Sequence, residues 1–174
     1  VFKKSILKKL AGTLIAVPIV NLYGFLNQDR YLPDRRDLNR CFPGSETGSL
    51  ASRLAHLVST KLISKSNYII DLHAGSLQRT NLPQIRADLD DPVTLKLAKA
   101  FNAPILLNSK LRDGSLRQYA TDKEIPTLLY EAGEALRFDR FSIQSGVNGI
   151  IGVMGLLQMI DISKTKVDKI KHAP

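Results

Sequence analysis

The chain has 174 residues, 44% of them apolar, a single cysteine and a formal net charge of +9. That is one domain's worth of chain with enough apolar material for a full core, and the lone Cys41 excludes an internal disulfide. Apolar runs reach only about ten residues before Pro18 or a glycine breaks them, short of the roughly 20 that cross a bilayer, so no membrane association is expected.

The basic charge gathers at the ends, on Lys3, Lys4, Lys8 and Lys9 and on Lys164, Lys166, Lys169 and Lys171. The stretch between is only mildly basic, and no nucleic-acid partner is expected. Residues 1–12 (VFKKSILKKLAG) lack an apolar h-region followed by a small-residue cleavage site, so they do not read as a targeting segment. The cysteine usage points to the cytoplasm. The chain opens on Val1 and not on methionine, which suggests coding sequence upstream.

In chain order, residues 13–20 are rich in β-branched residues and apolar on both faces; they predict a strand, with Pro18 at its end or at a bulge. Residues 23–48 are polar and rich in Arg, Asp and Pro, the composition of a long functional loop. Leu50, Leu54, Leu57, Val58 and Leu62 fall on one helical stripe, with Ser45, Thr47 or Ser49 as the cap. Residues 68–73 form the next strand. Asp91 before Pro92 reads as cap and first helical position, leading into Leu95, Leu97, Ala98 and Phe101. A strand at 104–107, a helix at about 115–122 and a strand at 126–131 follow. The last helix, about 139–160, carries Gly146, Gly149, Gly152 and Gly155 on one face, which suits close packing on a sheet; no G-x-G-x-x-G follows a strand and no Walker A pattern occurs. Strands apolar on both faces, alternating with helices, imply a three-layer α/β/α domain with a mostly parallel or mixed sheet.

Three groups of residues could carry chemistry, each at a strand end or in the long loop, where α/β sheets place ligands. His73 ends the run IIDLHAG, where a metal-ligand histidine sits, but His56 lies in a helical pattern and His172 in the basic tail. One ligand does not hold a zinc, so a hydrogen-bonded core or surface histidine is the competing reading. Asp71 points to the same side of the strand and could orient the imidazole. Glu131 closes the apolar run at 128–130, where partial desolvation suits a general base; an ion pair with an arginine is the alternative. Arg30, Arg35, Arg36, Asn39 and Arg40 lie within eleven residues and offer the planar donors that recognise a carboxylate, or else pair with the loop's own aspartates. Phosphate or RNA backbone would also suit the arginines, but there is no Trp and the aromatics are not interleaved with the basic residues.

In this order, RYLPDRRDLNRCFPG (30–44), IIDLHAG (69–75) and LLYEAGE (128–134) resemble the succinylglutamate desuccinylase and aspartoacylase family, relatives of the zinc carboxypeptidases. The resemblance runs from about residue 12 to 160. It implies the zinc carboxypeptidase fold, with His73 as third zinc ligand. Glu131 is then the carboxylate that activates the zinc-bound water, and Asn39 with Arg40 grips the substrate carboxylate. Arg30 or Arg35 would polarise the scissile carbonyl. The implied reaction is hydrolysis of the linear amide of a small N-acyl amino acid by a zinc enzyme.

The family's first two zinc ligands come from a His-x-x-Glu segment, and the sequence has none. Nor is room expected after Pro174 for the family's smaller β-rich carboxyl-terminal domain. Cys41 and Asp37 are possible substitute ligands. The chain therefore reads as a single domain, 1–174, whose residues 12–160 are the core of a catalytic domain with its terminal parts missing, flanked by basic ends at 1–10 and 162–174. The alternative reading is a catalytically incomplete fragment or pseudoenzyme that binds small carboxylates without turnover.

Overall fold

The structure is a computed structural model that describes residues 10–76 and 79–164. Most of the basic ends expected at 1–10 and 162–174 lies outside the described residues. The described residues within 1–14, 72–109 and 128–174 form one compact unit; those of 15–71 and 110–127 form a second.

Four strands, β1 (Ile69–Gly75), β2 (Asn81–Ala87), β3 (Ile105–Asn108) and β4 (Thr127–Glu134), make one sheet in the order β1-β4-β2-β3. β2 runs parallel to β3 and antiparallel to β4, so the sheet is mixed. Along β1 and β4, the bonds from Ile69 N–H to the Pro126 carbonyl and from Ala135 N–H to the Gly75 carbonyl advance together, as between parallel neighbours.

Strand β2 is not foreshadowed in the sequence. Its large apolar residues are only Leu82 and Ile85, and Pro83 reads as a strand breaker; the register is irregular between Asn81 and Gln84, which accommodates the missing donor. The reverse error occurs at residues 13–20. The run has the composition of a strand, yet it is irregular, and Ile15, Val17 and Ile19 are exposed. A strand needs a ladder, and no partner for this run occurs among the described residues.

In the first unit, helices α3 (Pro92–Phe101) and α5 (Arg140–Leu156) pack on β2 and on each other. Alternation along the strands sends Ile85, Ala87, Leu128, Tyr130 and Ala132 into this core. Both helices start as their sequences imply. Asp91 Oδ2 accepts the Thr94 amide at 2.7 Å ahead of Pro92, and Asp139 Oδ2 accepts the Ser142 amide at 2.7 Å; caps of this kind stabilise a helix by about 1 kcal/mol. The α5 glycines do mark close approach, though only partly to the sheet. A Cβ at Gly146 would lie 2.9 Å from the Tyr130 ring of β4, whereas one at Gly149 or Gly152 would meet Phe101 or the Ala100 carbonyl of α3, each at 2.2 Å.

The second unit contains α1 (Leu22–Asn27), a 3-10 turn (Leu38–Arg40), α2 (Leu50–Lys61) and α4 (Leu116–Thr121). The stretch 23–48 is therefore not loop throughout, because Asn21 caps α1 by accepting the Gly24 amide at 2.9 Å. The α2 cap is Ser49, as one of the three expected. Of the expected stripe, Val58 is buried and Leu50, Leu54 and Leu62 pack half-buried on the core, while Leu57 is 52% exposed; Ala51, Ala55 and Ser59 join the buried face. Small side chains let the chain lie directly against the helix, so a Cβ at Gly44 would sit 2.1 Å from the Ser52 carbonyl. Leu32, Leu38, Phe42, Ile63, Leu116 and Ala120 complete this core.

Candidate functional site

The candidate residues of the second unit lie on a loop anchored by apolar side chains and wired by its aspartates. Leu32, Leu38 and Phe42 are buried, which pins the backbone between them. Asp37 caps the 3-10 turn by accepting the Asn39 amide on Oδ1 at 3.0 Å. Its Oδ2 accepts Arg30 Nε at 3.1 Å and Nη2 at 2.8 Å, so Arg30 is committed to the loop's own carboxylate. Asp34 bridges to α2, accepting the Ala51 amide at 2.8 Å and the Arg36 amide at 3.2 Å. Desolvation pushes the Asp34 carboxyl up, but those two amides, the Ser49 hydroxyl and the Arg36 charge outweigh it and hold it below the usual range.

Asn39 faces α4, where its Oδ1 accepts the Leu116 amide at 2.8 Å. That bond orients the side-chain amide and so fixes the direction of its Nδ2 donors. Arg40 is exposed, and its Nη1 donates to the Asn39 carbonyl. Gly114 makes the approach possible: its φ is +68°, and a Cβ there would lie 2.6 Å from the Arg40 carbonyl. Arg35, also at positive φ (58°), is exposed and is held by its amide on the Leu32 carbonyl at 2.8 Å.

One residue next to this group is missed in the sequence. Arg117, second in α4, is only 6% exposed, and its Nη2 donates to the Lys110 carbonyl at 2.7 Å. A guanidinium is seldom buried without a purpose. The signal in the sequence is an arginine just inside the helix expected at about 115–122, whose Leu116 and Ala120 are buried in the core.

In the first unit, His73 on β1 and Glu131 on β4 occupy adjacent strands of the sheet. His73 is half-buried, as is Asp71 two residues before it, on either side of the exposed Leu72, so both point to one side of β1. Glu131 Oε2 accepts Arg86 Nη1 at 3.3 Å. This is the arginine pair weighed as the alternative for Glu131, and it comes from the unforeseen strand β2.

The zinc expected from the resemblance is not accommodated by the described residues. Among them no three His, Cys, Asp or Glu side chains come together to hold a metal ion, and structural or catalytic zinc needs at least three protein ligands. Cys41 and Asp37 do meet, but through the Cys41 thiol donating to the Asp37 main-chain carbonyl at 3.3 Å. Burial pushes the Cys41 thiol up, which works against the thiolate that a metal would need. A cavity of about 320 Å³ in the second unit is lined by Val17, Val20, Leu54, Leu57, Val58, Lys61 and Leu62. It contains none of the candidate residues.

No helix among the described residues is long and apolar enough to cross a membrane. Residues 1–157 match the succinylglutamate desuccinylase/aspartoacylase catalytic domain. The chain is 34% identical over 99 residues to the N-alpha-acetyl-L-2,4-diaminobutyric acid deacetylase of Halomonas elongata, a stretch that covers 53% of this chain and 29% of the deacetylase. It superposes with TM-score 0.80 and 26% identity on a succinylglutamate desuccinylase/aspartoacylase from Rhodobacter sphaeroides, covering 88% of this chain and 47% of that one. With the ectoine utilization protein EutE (DoeB) of Ruegeria pomeroyi the TM-score is 0.80 at 25% identity, over 88% and 49% of the two chains. The chain thus spans about half the length of these solved relatives. The mixed α/β sheet, the three motifs in order and the match across most of the chain lead to one conclusion: this chain belongs to the succinylglutamate desuccinylase/aspartoacylase family.

Proposed function

We propose that the protein is a deacylase that hydrolyses the linear amide bond of a small N-acyl amino acid. The observation that carries this reading is the family match over residues 1–157, which includes Asn39, Arg40, His73 and Glu131. Asn39 and Arg40 recognise the substrate carboxylate, with the buried Arg117 beside them as a further donor. Glu131 accepts a proton from the attacking water as its oxygen bonds to the acyl carbon, and returns that proton to the nitrogen as the C–N bond breaks. A carboxylic acid and a free amine leave. Asp71 orients His73. Zinc dependence, as the resemblance implies, requires ligands besides His73. We place the protein in the cytoplasm, which suits the lone Cys41, and read the two units as one catalytic domain.

A second reading is favoured by the lack of a three-donor metal cluster among the described residues: a carboxylate-binding protein without turnover. Assays of N-acetyl and N-succinyl amino acids, with and without added zinc, separate the two. Turnover that falls about 10²- to 10⁴-fold in Glu131→Gln supports the deacylase. Binding of these compounds with no release of amine at any zinc level leaves only the second reading.

A further inference from the structure

The sheet face that carries Glu131 holds a second charged residue with no role so far. On β4, Leu128, Tyr130 and Ala132 turn into the helical core, so Leu129 and Glu131 turn the other way. On β2, Pro83, Ile85 and Ala87 are buried, which sends Gln84 and Arg86 to the same face as Glu131. The antiparallel register sets Gln84 opposite Glu131 and Arg86 opposite Leu129. Arg86 and Glu131 are thus diagonal neighbours, within reach of long side chains.

Their contact is unlike the other Arg–carboxylate pair described above. Arg30 gives two nitrogens to Asp37, at 3.1 and 2.8 Å, and holds the loop in shape. Arg86 gives one, at 3.3 Å, to Oε2 alone. Among the described residues, Oε1 of Glu131 has no protein partner. With side chains 36% and 21% exposed, the pair is too solvated to contribute much to stability. What it does is restrict the carboxylate: with one oxygen held from the β2 side, the other is presented outward in a defined direction. A general base needs its lone pair aimed at the proton that it takes.

We propose that Arg86 is a positioning residue for Glu131, holding Oε2 so that Oε1 is the oxygen that receives the proton. The proposal rests on the reading of Glu131 as general base. The test uses the full protein with Arg86→Met and Arg86→Lys beside Glu131→Gln, each checked for wild-type folding by circular dichroism. Arg86→Met should lower kcat about 10- to 100-fold while KM moves by less than about 3-fold. Arg86→Lys, which keeps a cation at the same place, should recover most of the loss, and added guanidinium should partly restore Arg86→Ala. An unchanged kcat in Arg86→Met overturns the proposal, as does a raised KM with kcat intact, which would mark Arg86 as a substrate contact.

Side-chain ¹³C relaxation at Glu131 gives a reading that does not depend on turnover. Glu131 should be ordered in the wild type and in Arg86→Lys and loosened in Arg86→Met; equal order in all three overturns the proposal. If Glu131→Gln retains full turnover, the general-base reading fails instead, whatever Arg86 does to the order of the side chain.

Discussion

Asn39 accepts the amide of Leu116, 77 residues further along the chain, at 2.8 Å. A residue that the motif assigns to substrate recognition is therefore also the link that seats α4, and with it Arg117, against the loop. Under the proposed function the two duties use different atoms of one side chain: Oδ1 takes the Leu116 amide, and the Nδ2 donors serve the substrate carboxylate.

Those duties can be separated by substitution. Asn39→Asp keeps an acceptor for Leu116 and loses the donors, so urea unfolding should stay close to wild type while affinity for an anionic substrate falls. Asn39→Ala removes both and should destabilise the fold by about 1–2 kcal/mol. If Asn39→Asp binds N-acyl amino acids as well as the wild type, Asn39 is structural only.

Gly149→Ala would bring a Cβ within 2.2 Å of Phe101 Cε1. The gain in helix propensity, about 1 kcal/mol, should be outweighed by overpacking of roughly 1–3 kcal/mol. Phe101→Leu in the same chain should relieve part of that penalty. Thermal unfolding of the single and double variants measures both terms, and a stabilised Gly149→Ala would show that the two helices move apart at no cost.

The caps at Asp91 and Asp139 make stability depend on acid. Hydrogen bonds from the Thr94 and Ser142 side chains, then from their amides, hold these carboxyls below the usual range. A group lowered in the folded state contributes fully above its unfolded value, about 3.9 for Asp, and the contribution is lost as pH falls through the folded value. Asn caps nearly as well and does not titrate. Between pH 6 and pH 3 the wild-type Tm should fall more than that of Asp91→Asn/Asp139→Asn; parallel curves would contradict this.

Cys41 should react slowly. Burial raises its thiol above the ordinary value, and its S–H is engaged by the Asp37 carbonyl, so alkylation by iodoacetamide at pH 8 should be several-fold slower in the native protein than in urea. A native rate equal to the unfolded one would mean that neither burial nor the hydrogen bond protects the thiol.

Elemental analysis after dialysis should find well below one zinc per chain, because the described residues bring no three ligands together. Stoichiometric zinc lost on His73→Ala would instead mean that residues outside the described ones complete a site with His73.

The sequence by itself determined what depends on neighbours a few residues apart. Asp91, Ser115 and Asp139 begin their helices because a cap acts within three residues, and the runs that carry His73 and Glu131, apolar and bounded by turn residues, are strands as their composition implies. The three motifs likewise carry the family. Composition misled where a strand depends on a partner: residues 13–20 look like a strand and are not, while β2, with Pro83 and few apolar residues, is one because β3 and β4 flank it. Only the tertiary structure decided that Arg30 is taken by Asp37, that Arg117 is buried next to Leu116, and that Arg86 reaches Glu131. The last of these is set by ladder register between strands, joining residues 45 apart in the chain, while Arg30 meets Asp37 only because the buried Leu32 and Leu38 fix the loop between them, and no local period or cap carries either contact.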